Sequence, residues 1–289
     1  IGTGLVGSEM CIRDRVLLLI AHVLSFRSLK KKLGLSKISI AISGAAPIAP
    51  EVLKFFMALG VPIFEAYGMT ENCAYVTSND FESIEIGSVG RPHANCEIKI
   101  ADDGEILTRH GGTFKGYFKD EQSTREVIDE EGWLHTGDVG EITEKGSLII
   151  TDRKKDIIMT SGGKNVSPSE IENKIKASPF IKDALVVGDK RKFLSCLVAI
   201  EFETVSNWAL RKKIPFTTYR DLTEKSEVRD LVSKEIIRAN EETSSLRVRK
   251  FELIPKELDH EDGELTATQK IKRNVIIEQF SELVESMYK

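Results

Sequence analysis

The chain has 289 residues, of which 41 are Lys or Arg and 45 are Asp or Glu, so its formal net charge is −4. At roughly 150 residues per domain, this length predicts about two domains. The near-neutral charge gives no electrostatic reason to expect nucleic acid as a partner. The 4 cysteines form no C-x-x-C pair, which predicts reduced thiols in a cytoplasmic protein rather than disulfides or a zinc site.

The N-terminal segment divides into two parts. Residues 1–15 show no helix or strand period, and we interpret them as a foreign or truncated leader. The apolar run Val16–Leu24 follows, with His22 inside it. Spanning a bilayer takes about 20 apolar residues, so this shorter run predicts a core helix instead.

A strand, a helix and a second strand are predicted next. The apolar run Lys37–Ser43 is typical of a buried strand, a helix is predicted from Pro50 to Gly60, and the second strand covers Val61–Ala66. This order predicts a βαβ unit with parallel strands. Parallel strands end at one sheet edge, where ligands of open α/β sheets bind. We therefore expect Gly44–Ala46 beside Tyr67–Glu71.

Short strands and tight turns are predicted from Gly87 onward. The sequence alternates around Asp103-Gly104, a strong hairpin dipeptide, and a second hairpin is predicted with Gly146 in its turn. These patterns indicate a small β subdomain that ends near Thr151.

An α+β domain is predicted from about Arg153 to Lys289. Its first helix has Ser167 as the expected N-cap, Pro168 at the first helical position and Glu170 closing a capping box. Two strands with the sequences ALVVG and LVAI, a further helix, and a single terminal helix over Ile276–Met287 complete it. The chain as a whole thus combines α/β and α+β architecture.

Three segments of the first part carry groups suited to a nucleotide. The turn SGAAP has small residues that let a flat ligand approach the backbone. In YGMTE, Tyr67 can stack on a base, Thr70 can bond a phosphate oxygen and Glu71 can hold Mg²⁺ as a hard oxygen ligand. In GWLHTGD, Asp138 can accept hydrogen bonds from a ribose diol. Each segment alone also fits an ordinary turn or a solvated loop.

Two further segments suggest a hinge and a cation that can neutralise charge on a phosphate. The run DRKKD, which Gly162-Gly163 follow, is a charge run of the kind that usually forms a solvated face. It stands where the composition changes, and this position favours a hinge. The string GELTATQKIKR places Lys270 in a flexible polar loop. A lysine is a compact cation on a long stem, which suits it to neutralise charge developing on a phosphate.

In this order the five segments resemble those of the adenylate-forming superfamily, specifically the AMP-forming long-chain fatty acyl-CoA synthetases. The resemblance covers Val16 to the C-terminus and is carried most specifically by FKGYFKDEQSTREVIDEEGWLHTGD, LIITDRKKDIIMTSGGKNVSPSEIE and ELTATQKIKR. It implies that residues 16–151 are the C-terminal part of a large AMP-binding domain, with a βαβ unit and a small β-barrel-like subdomain. Residues 152–155 would form a hinge and residues 156–289 the small C-terminal domain.

The resemblance also assigns a nucleotide-binding set. Its members are Gly44, Ala45, Ala46, Tyr67, Gly68, Met69, Thr70, Asp138, Arg153 and Lys270. The backbone of the first three would border the adenine, and Tyr67 would lie against the base. Asp138 would bind the ribose hydroxyls with help from Arg153.

Catalysis, the hinge and the CoA side are assigned in the same way. The catalytic residues would be Thr70 at the α-phosphate, Glu71 as the Mg²⁺ ligand and Lys270, which would bridge the substrate carboxylate and the α-phosphate. Lys155 matches the hinge about which the small domain rotates. Gly163 matches a glycine beside the tunnel for the thiol acceptor, where a missing Cβ leaves room for pantetheine.

The implied activity is that of a fatty acid:CoA ligase that uses ATP, Mg²⁺ and CoA and forms an acyl-AMP intermediate. The family's Ser/Thr/Gly-rich phosphate loop, which lies upstream of SGAAP, is absent from this sequence. The chain alone is therefore expected to be inactive. The expected location is the cytoplasm, and a fatty acid substrate favours peripheral contact with the inner membrane face.

Two alternatives stay open. The first is another adenylate-forming ligase that acts on an aryl acid or on a carrier-protein thiol. The second is a non-catalytic module that binds nucleotide or a partner and derives from the same fold.

Overall fold

The computed structural model describes residues 25–81, 84–243, 247–267 and 269–289. The chain divides between Ile150 and Thr151 into two compact units. The predicted leader and the core helix predicted over Val16–Leu24 lie outside the described residues. Within the described ranges, no helix is long and apolar enough to cross a membrane.

The first unit opens with helix α1 (Arg27–Lys32) and the predicted βαβ arrangement. Strands β1 (Ala41–Ser43) and β2 (Ile63–Tyr67) are parallel, and helix α2 (Pro50–Ala58) connects them. The prediction of a parallel βαβ unit is confirmed. The prediction of a buried strand over Lys37–Ser43 is wrong, because β1 is shorter and Ile42 within it is 68% exposed. Helix α2 begins with a proline because that residue has no N–H to leave unbonded in the first turn.

Antiparallel strands extend the first sheet of this unit and form a second one. Strands β3 (Thr77–Ser78) and β4 (Arg91–Pro92) extend the first sheet in the order β1-β2-β3-β4. A second sheet has the order β5-β6-β7-β8, with helix α3 (Glu121–Val127) between β6 and β7 along the chain. Its strands are β5 (Glu97–Ile100), β6 (Glu105–Arg109), β7 (Leu134–Ile142) and β8 (Leu148–Arg153). Both predicted hairpins are confirmed.

One small core holds the two sheets of the first unit together. It consists of Tyr67, Val76, Ile106 and Leu148, each of them buried. Tyr67 ends β2, whereas Ile106 and Leu148 belong to the second sheet. The position of the tyrosine ring is therefore set by packing from both sheets.

The second unit is a three-stranded sheet covered by helices. Strands β9 (Ile158–Met159) and β10 (Asn165–Val166) form a short ribbon ahead of it. The sheet order is β11-β12-β13, with β11 antiparallel and β13 parallel to β12. Its strands are β11 (Ile181–Val187), β12 (Leu194–Ile200) and β13 (Val248–Leu253). Its helices are α4 (Pro168–Lys176), α5 (Phe202–Lys212), α6 (Tyr219–Thr223), α7 (Ser226–Glu241), α8 (Arg273–Gln279) and α9 (Ser281–Ser286).

Strand β12 is buried at every residue because both of its faces are covered. Cys196 and Val198 belong to a core with α4, α5 and α7, whereas Leu197 and Ala199 belong to a core with α8 and α9. The alternation follows from the two-residue period of a strand. The predicted α+β character of this part is confirmed.

The predicted capping box at the start of α4 is wrong. Ser167 is the N-cap, but its hydroxyl donates to the carbonyl of Thr151 at 2.8 Å and to Oδ2 of Asp152 at 2.7 Å. Oδ2 of Asp152 also accepts from the backbone N–H of Ser169 at 3.0 Å. A carboxylate from a preceding strand therefore does the capping, because it is a stronger acceptor than a hydroxyl.

The prediction of a single terminal helix is also wrong. The chain leaves helical geometry at Phe280, with φ −105° and ψ 28°, so α8 and α9 are separate. Ile276, Phe280 and Val284 nevertheless all face the same core. The sequence has no Pro or Gly at this point, so no local signal marks the break.

Replacement of Leu197 by Ala tests the central position of β12. We expect a loss of about 2–5 kcal/mol in the free energy of unfolding, because a buried leucine leaves a cavity. Urea denaturation of the chain measures it. Leu210→Ala, at a leucine that is 64% exposed, is the control and should change the value by less than about 0.5 kcal/mol. Equal losses in the two variants would contradict the two-faced core.

Candidate active site

The first unit joins two of the predicted segments directly. The hydroxyl of Tyr67 donates to Oδ2 of Asp138 at 2.7 Å, and both side chains are buried, with 8% and 5% exposed. The two residues are 71 positions apart in the sequence. An aromatic ring and a carboxylate that were each predicted to contact a nucleoside therefore meet in one place.

The SGAAP turn lies beside the same strand end. A Cβ on Gly44 would stand 3.1 Å from the carbonyl oxygen of Ala66, so the turn passes close to the residue before Tyr67. Ala45 has φ +69°, a left-handed conformation that costs a non-glycine residue about 1–2 kcal/mol. Gly44, Ala45 and Ala46 are all exposed. Their predicted position at the sheet edge beside Tyr67 is confirmed, and their contact with adenine stays a prediction.

The loop after Tyr67 folds back on itself. A Cβ on Gly68 would lie 2.4 Å from Cα of Ala74, so only glycine fits there. Oδ1 of Asn72, a fully buried residue, accepts from the backbone N–H of Met69 at 2.7 Å, and the N–H of Ala74 donates to the carbonyl of Met69 at 2.8 Å. This closed loop leaves the hydroxyl-bearing Thr70 exposed at its tip.

Glu71 has a defined partner in the same unit. Its Oε1 accepts from the hydroxyl of Tyr117 at 2.9 Å, and its backbone carbonyl accepts from the N–H of Phe114 at 2.8 Å. Burial and this hydrogen bond together raise the pKa of Tyr117. In the part of the chain that the structure describes, no three His, Cys, Asp or Glu side chains are grouped to hold a metal ion. Since Mg²⁺ is often held by one carboxylate and phosphate oxygens, Glu71 fits a site that a bound nucleotide completes.

Glu105, which no sequence pattern singled out, holds the segment of β7 that carries Asp138. Its buried carboxylate accepts from the backbone N–H of Gly137 at 2.9 Å and lies 3.2 Å from Nδ1 of His135. Thr136 donates to a carbonyl of β6 at 2.7 Å and accepts from the N–H of Asp138 at 3.1 Å. A glutamate at an inward-facing position of a strand was the only signal for this role in the sequence.

Glu65 is a second buried carboxylate beside the strand end. The backbone amides of Ile48 and Gly87 act to lower its pKa, and its Oε2 is buried without a hydrogen-bond partner among the described residues. Burial nevertheless raises the pKa of this carboxyl above its ordinary value of 4.5.

Lys270 lies in a short hairpin of the second unit. Leu265 and Ile271 form an antiparallel bridge, and the N–H of Thr266 donates to the carbonyl of Lys270 at 2.8 Å. The Lys270 side chain is exposed. Gln269, just before it, has φ +61°, the left-handed region that favours glycine. The expected flexible loop is therefore a hydrogen-bonded turn.

The predicted hinge and CoA-side residues also belong to the second unit. Arg153 and Lys155 are exposed at the end of β8 and in the 3₁₀ turn after it. Gly163 lies in the turn between β9 and β10, with φ +74° and open space where a Cβ would stand. Crowding by this chain therefore does not demand glycine at position 163, although the backbone conformation favours it.

Comparison with known proteins identifies the family. Residues 13–118 match the family described as AMP-binding enzyme, and residues 155–289 match the AMP-binding enzyme C-terminal domain. The chain belongs to the adenylate-forming AMP-binding enzymes, and the predicted membership is confirmed. Long-chain-fatty-acid–CoA ligase FadD15 of Mycobacterium tuberculosis is 38% identical over 92% of this chain and 44% of its own length. The chain thus spans under half the length of this curated relative.

Solved structures show the same fold. The adenylation domain of the carboxylate reductase from Mycobacterium chelonae has a TM-score of 0.74 and 23% identity, covering 93% of this chain and 41% of that one. The corresponding domain from Segniliparus rugosus, in complex with AMP and a carboxylic acid, has a TM-score of 0.68 and 22% identity over 95% and 46%. The predicted combination of α/β and α+β parts is confirmed.

Tyr67→Phe tests the buried hydrogen bond to Asp138. We expect a loss of about 1.5–3 kcal/mol in the free energy of unfolding, as for other hydrogen bonds to charged groups. Tyr117→Phe is the matched control, because it removes a tyrosine hydroxyl bonded to a carboxylate at an exposed position. It should cost less than about 1 kcal/mol. Urea denaturation compares the two, and an equal or larger loss in the control would argue against the buried pair.

Glu65→Gln tests the buried carboxyl through pH. Because the folded pKa is raised, the native state binds more protons than the unfolded state above pH 4.5, so wild-type stability falls as pH rises through that window. The Glu65→Gln variant lacks this pH dependence. Its free energy of unfolding should therefore increase relative to that of the wild type as pH rises. Glu97→Gln is the control of opposite sign, since its hydrogen bond from Arg109 lowers the pKa of Glu97. The wild type should be more stable to unfolding than Glu97→Gln near neutral pH, and this difference should shrink as pH falls below about 4.5. Denaturation from about pH 3 to 8 checks both; a flat difference for Glu65 would contradict its burial as a carboxyl.

Proposed function

We propose that this chain is part of an AMP-forming fatty acid:CoA ligase. Such an enzyme joins a fatty acid carboxylate to the α-phosphate of ATP and releases pyrophosphate. It then transfers the acyl group from AMP to the thiol of CoA. The names of the curated relatives, which are long-chain ligases, support the fatty acid as the substrate class.

The observation that carries the nucleotide part is the bond between Tyr67 and Asp138. The tyrosine ring is held by the core on one side, and its hydroxyl orients the carboxylate. We assign the ribose hydroxyls to Asp138 and the face of the adenine to Tyr67. The exposed backbone of Gly44–Ala46, next to the same strand end, then borders the base. Arg153 is assigned to the ribose from its motif.

The chemistry of adenylation accounts for the remaining assignments. A free carboxylate is a poor acyl donor because its leaving group would be oxide, and an acyl-AMP has a good leaving group instead. Attack on the α-phosphate builds negative charge there, which Lys270 stabilises as a cation and Thr70 as a hydrogen-bond donor. When bound at Glu71, Mg²⁺ supplies further neutralisation of phosphate charge.

Thioester formation is assigned to the Gly163 turn of the second unit. The CoA thiol attacks the acyl carbon, the acyl–phosphate bond breaks and AMP leaves. Gly163 offers open space at a surface turn, as a pantetheine chain requires. Between the two steps, Lys270 has to leave the active site and the Gly163 turn has to enter it. We assign this exchange to rotation about a hinge at Lys155.

Location in the cell follows from the cysteines and the substrate. Cys73, Cys96 and Cys196 are free thiols, which supports a reducing compartment such as the cytoplasm. A fatty acid partitions into membranes, so we place the protein at the inner membrane face by peripheral contact. Fractionation of cells with and without a high-salt wash tests this placement.

Lys270→Ala in the complete gene product tests the proposed reaction. The rate of palmitate adenylation, measured as ATP–pyrophosphate exchange, should fall about 100-fold. A contact to charge that develops in the transition state is worth about 3 kcal/mol. Thioester formation from supplied palmitoyl-AMP should stay within about threefold, because that step does not use the lysine. Lys272→Ala, at an exposed lysine two residues on, is the control and should retain both steps.

Three results would contradict the proposal or change its substrate. Equal loss in both steps would refute the role of Lys270 in adenylation. Exchange with benzoate but not palmitate would replace the fatty acid by an aryl acid. Acyl transfer to a carrier-protein thiol but not to CoA would replace the acceptor.

A further inference from the structure

The position of Lys270 is set by the backbone on either side of it. Its side chain is exposed, and the hairpin that carries it is closed by the bridge between Leu265 and Ile271. The N–H of Lys270 donates to Oγ1 of Thr266 at 3.0 Å. A two-residue bridge is a weak restraint by itself. The accuracy with which Lys270 is placed therefore depends on how each end of the hairpin is fastened.

The entry to the hairpin is held by Glu264. This glutamate is fully buried, and it accepts from Nζ of Lys256 and from the backbone N–H of Asp259, both at 2.9 Å. Its own carbonyl accepts from the N–H of Lys272 at 2.8 Å. The first arm is thus tied to the loop that precedes it.

The exit from the hairpin is held by Arg273, three residues after Lys270. Its Nη1 donates to Oε1 of Glu172 in α4 at 2.6 Å, and its Nη2 donates to the carbonyl of Val186 at 2.6 Å. Oε1 of Glu172 also accepts from the N–H of Val186 at 2.7 Å. Glu172 is 7% exposed. The ion pair therefore satisfies both backbone groups of Val186 on β11, an edge strand of the sheet.

Only arginine can make this connection. The two contacts of Arg273 use different nitrogens of one planar group, a geometry that the single ammonium of a lysine does not reproduce. The pair also joins two regions of the unit, because α4 follows the Gly163 turn after strand β10 and Arg273 begins α8. A change at Glu172 is therefore transmitted to the hairpin through one rigid side chain.

We propose that Arg273 and Glu172 are positioning residues that fix the Lys270 hairpin to helix α4 and strand β11. The consequence for catalysis rests on the function proposed above, in which Lys270 acts in adenylation. The restraint of the hairpin by the ion pair does not rest on that function, because it concerns only how rigidly the hairpin is held. Losing the pair should let the hairpin move while the sheet stays intact.

The test uses a double variant, Glu172→Leu with Arg273→Met. Removing one partner would leave a buried charge uncompensated, whereas replacing both with apolar residues often preserves the fold. Amide hydrogen exchange is measured on this chain. We expect about tenfold faster exchange at Thr266 and Lys272, with no change in β12. Arg229→Met is the matched control, because Arg229 binds Glu252 through two nitrogens and the carbonyl of Phe251 in the same way.

A kinetic measurement on the complete gene product follows. Adenylation should fall about 100-fold in the double variant, since small displacements of a catalytic group have effects of that size. Thioester formation from supplied acyl-AMP should stay within about threefold, and Arg229→Met should leave both steps intact. Arg273→Lys, which keeps the charge but not both contacts, should lie between the wild type and the double variant.

The outcomes separate the two ideas. Unchanged exchange at Thr266 and Lys272 in a folded double variant would overturn the positioning role. If the double variant does not fold, Arg273→Lys decides, and wild-type exchange there would overturn it as well. Faster exchange with normal adenylation would overturn the catalytic consequence. If the wild type itself adenylates no acid, the proposed function fails, and the exchange data still decide the role of the pair.

Discussion

The hydrogen bond from Tyr67 to Asp138 is the interaction on which the first unit's site depends. A carboxylate that is buried this far needs compensating partners, because an unpaired charge in an apolar interior is very costly. The tyrosine that supplies one is itself locked by the core that joins the two sheets. Packing of Val76, Ile106 and Leu148 around Tyr67 thus helps to determine where the Asp138 carboxylate lies.

The parts that were predictable from sequence are those whose cause is local. The βαβ unit follows from apolar runs with a proline at the helix start, and the hairpins follow from Asp103-Gly104 and Gly146, because these turn residues accept the backbone angles required. The same reasoning located the SGAAP turn at the sheet edge, since the connectivity of parallel strands leaves little choice. Motif order then indicated the family, which the comparisons confirm.

The parts that were missed arise from contacts between distant residues. Glu105 binds Gly137, next to Asp138 in β7, from 32 residues away, and Glu172 meets Arg273 across 101 residues. No periodicity or capping rule contains such pairs, because each looks like an ordinary charged residue in its own segment. Gln269 is a different case: it takes the left-handed angle next to Lys270 without being glycine. Tertiary restraint at the hairpin overrides a preference that local chemistry would have respected.

The capping of α4 by Asp152 bears on where a hinge can act. Three hydrogen bonds tie Asp152 to Ser167 and Ser169, so its carboxylate moves with α4 as long as they persist. A bend at Lys155 that left β8 behind would break all three, each worth about 1.5–3 kcal/mol for a charged acceptor. A bend ahead of Asp152 would break none, and the division of the chain after Ile150 falls on that side. The hinge over residues 152–155 stays a prediction. Rotation at Lys155 would have to supply the free energy that breaks the three hydrogen bonds to Asp152.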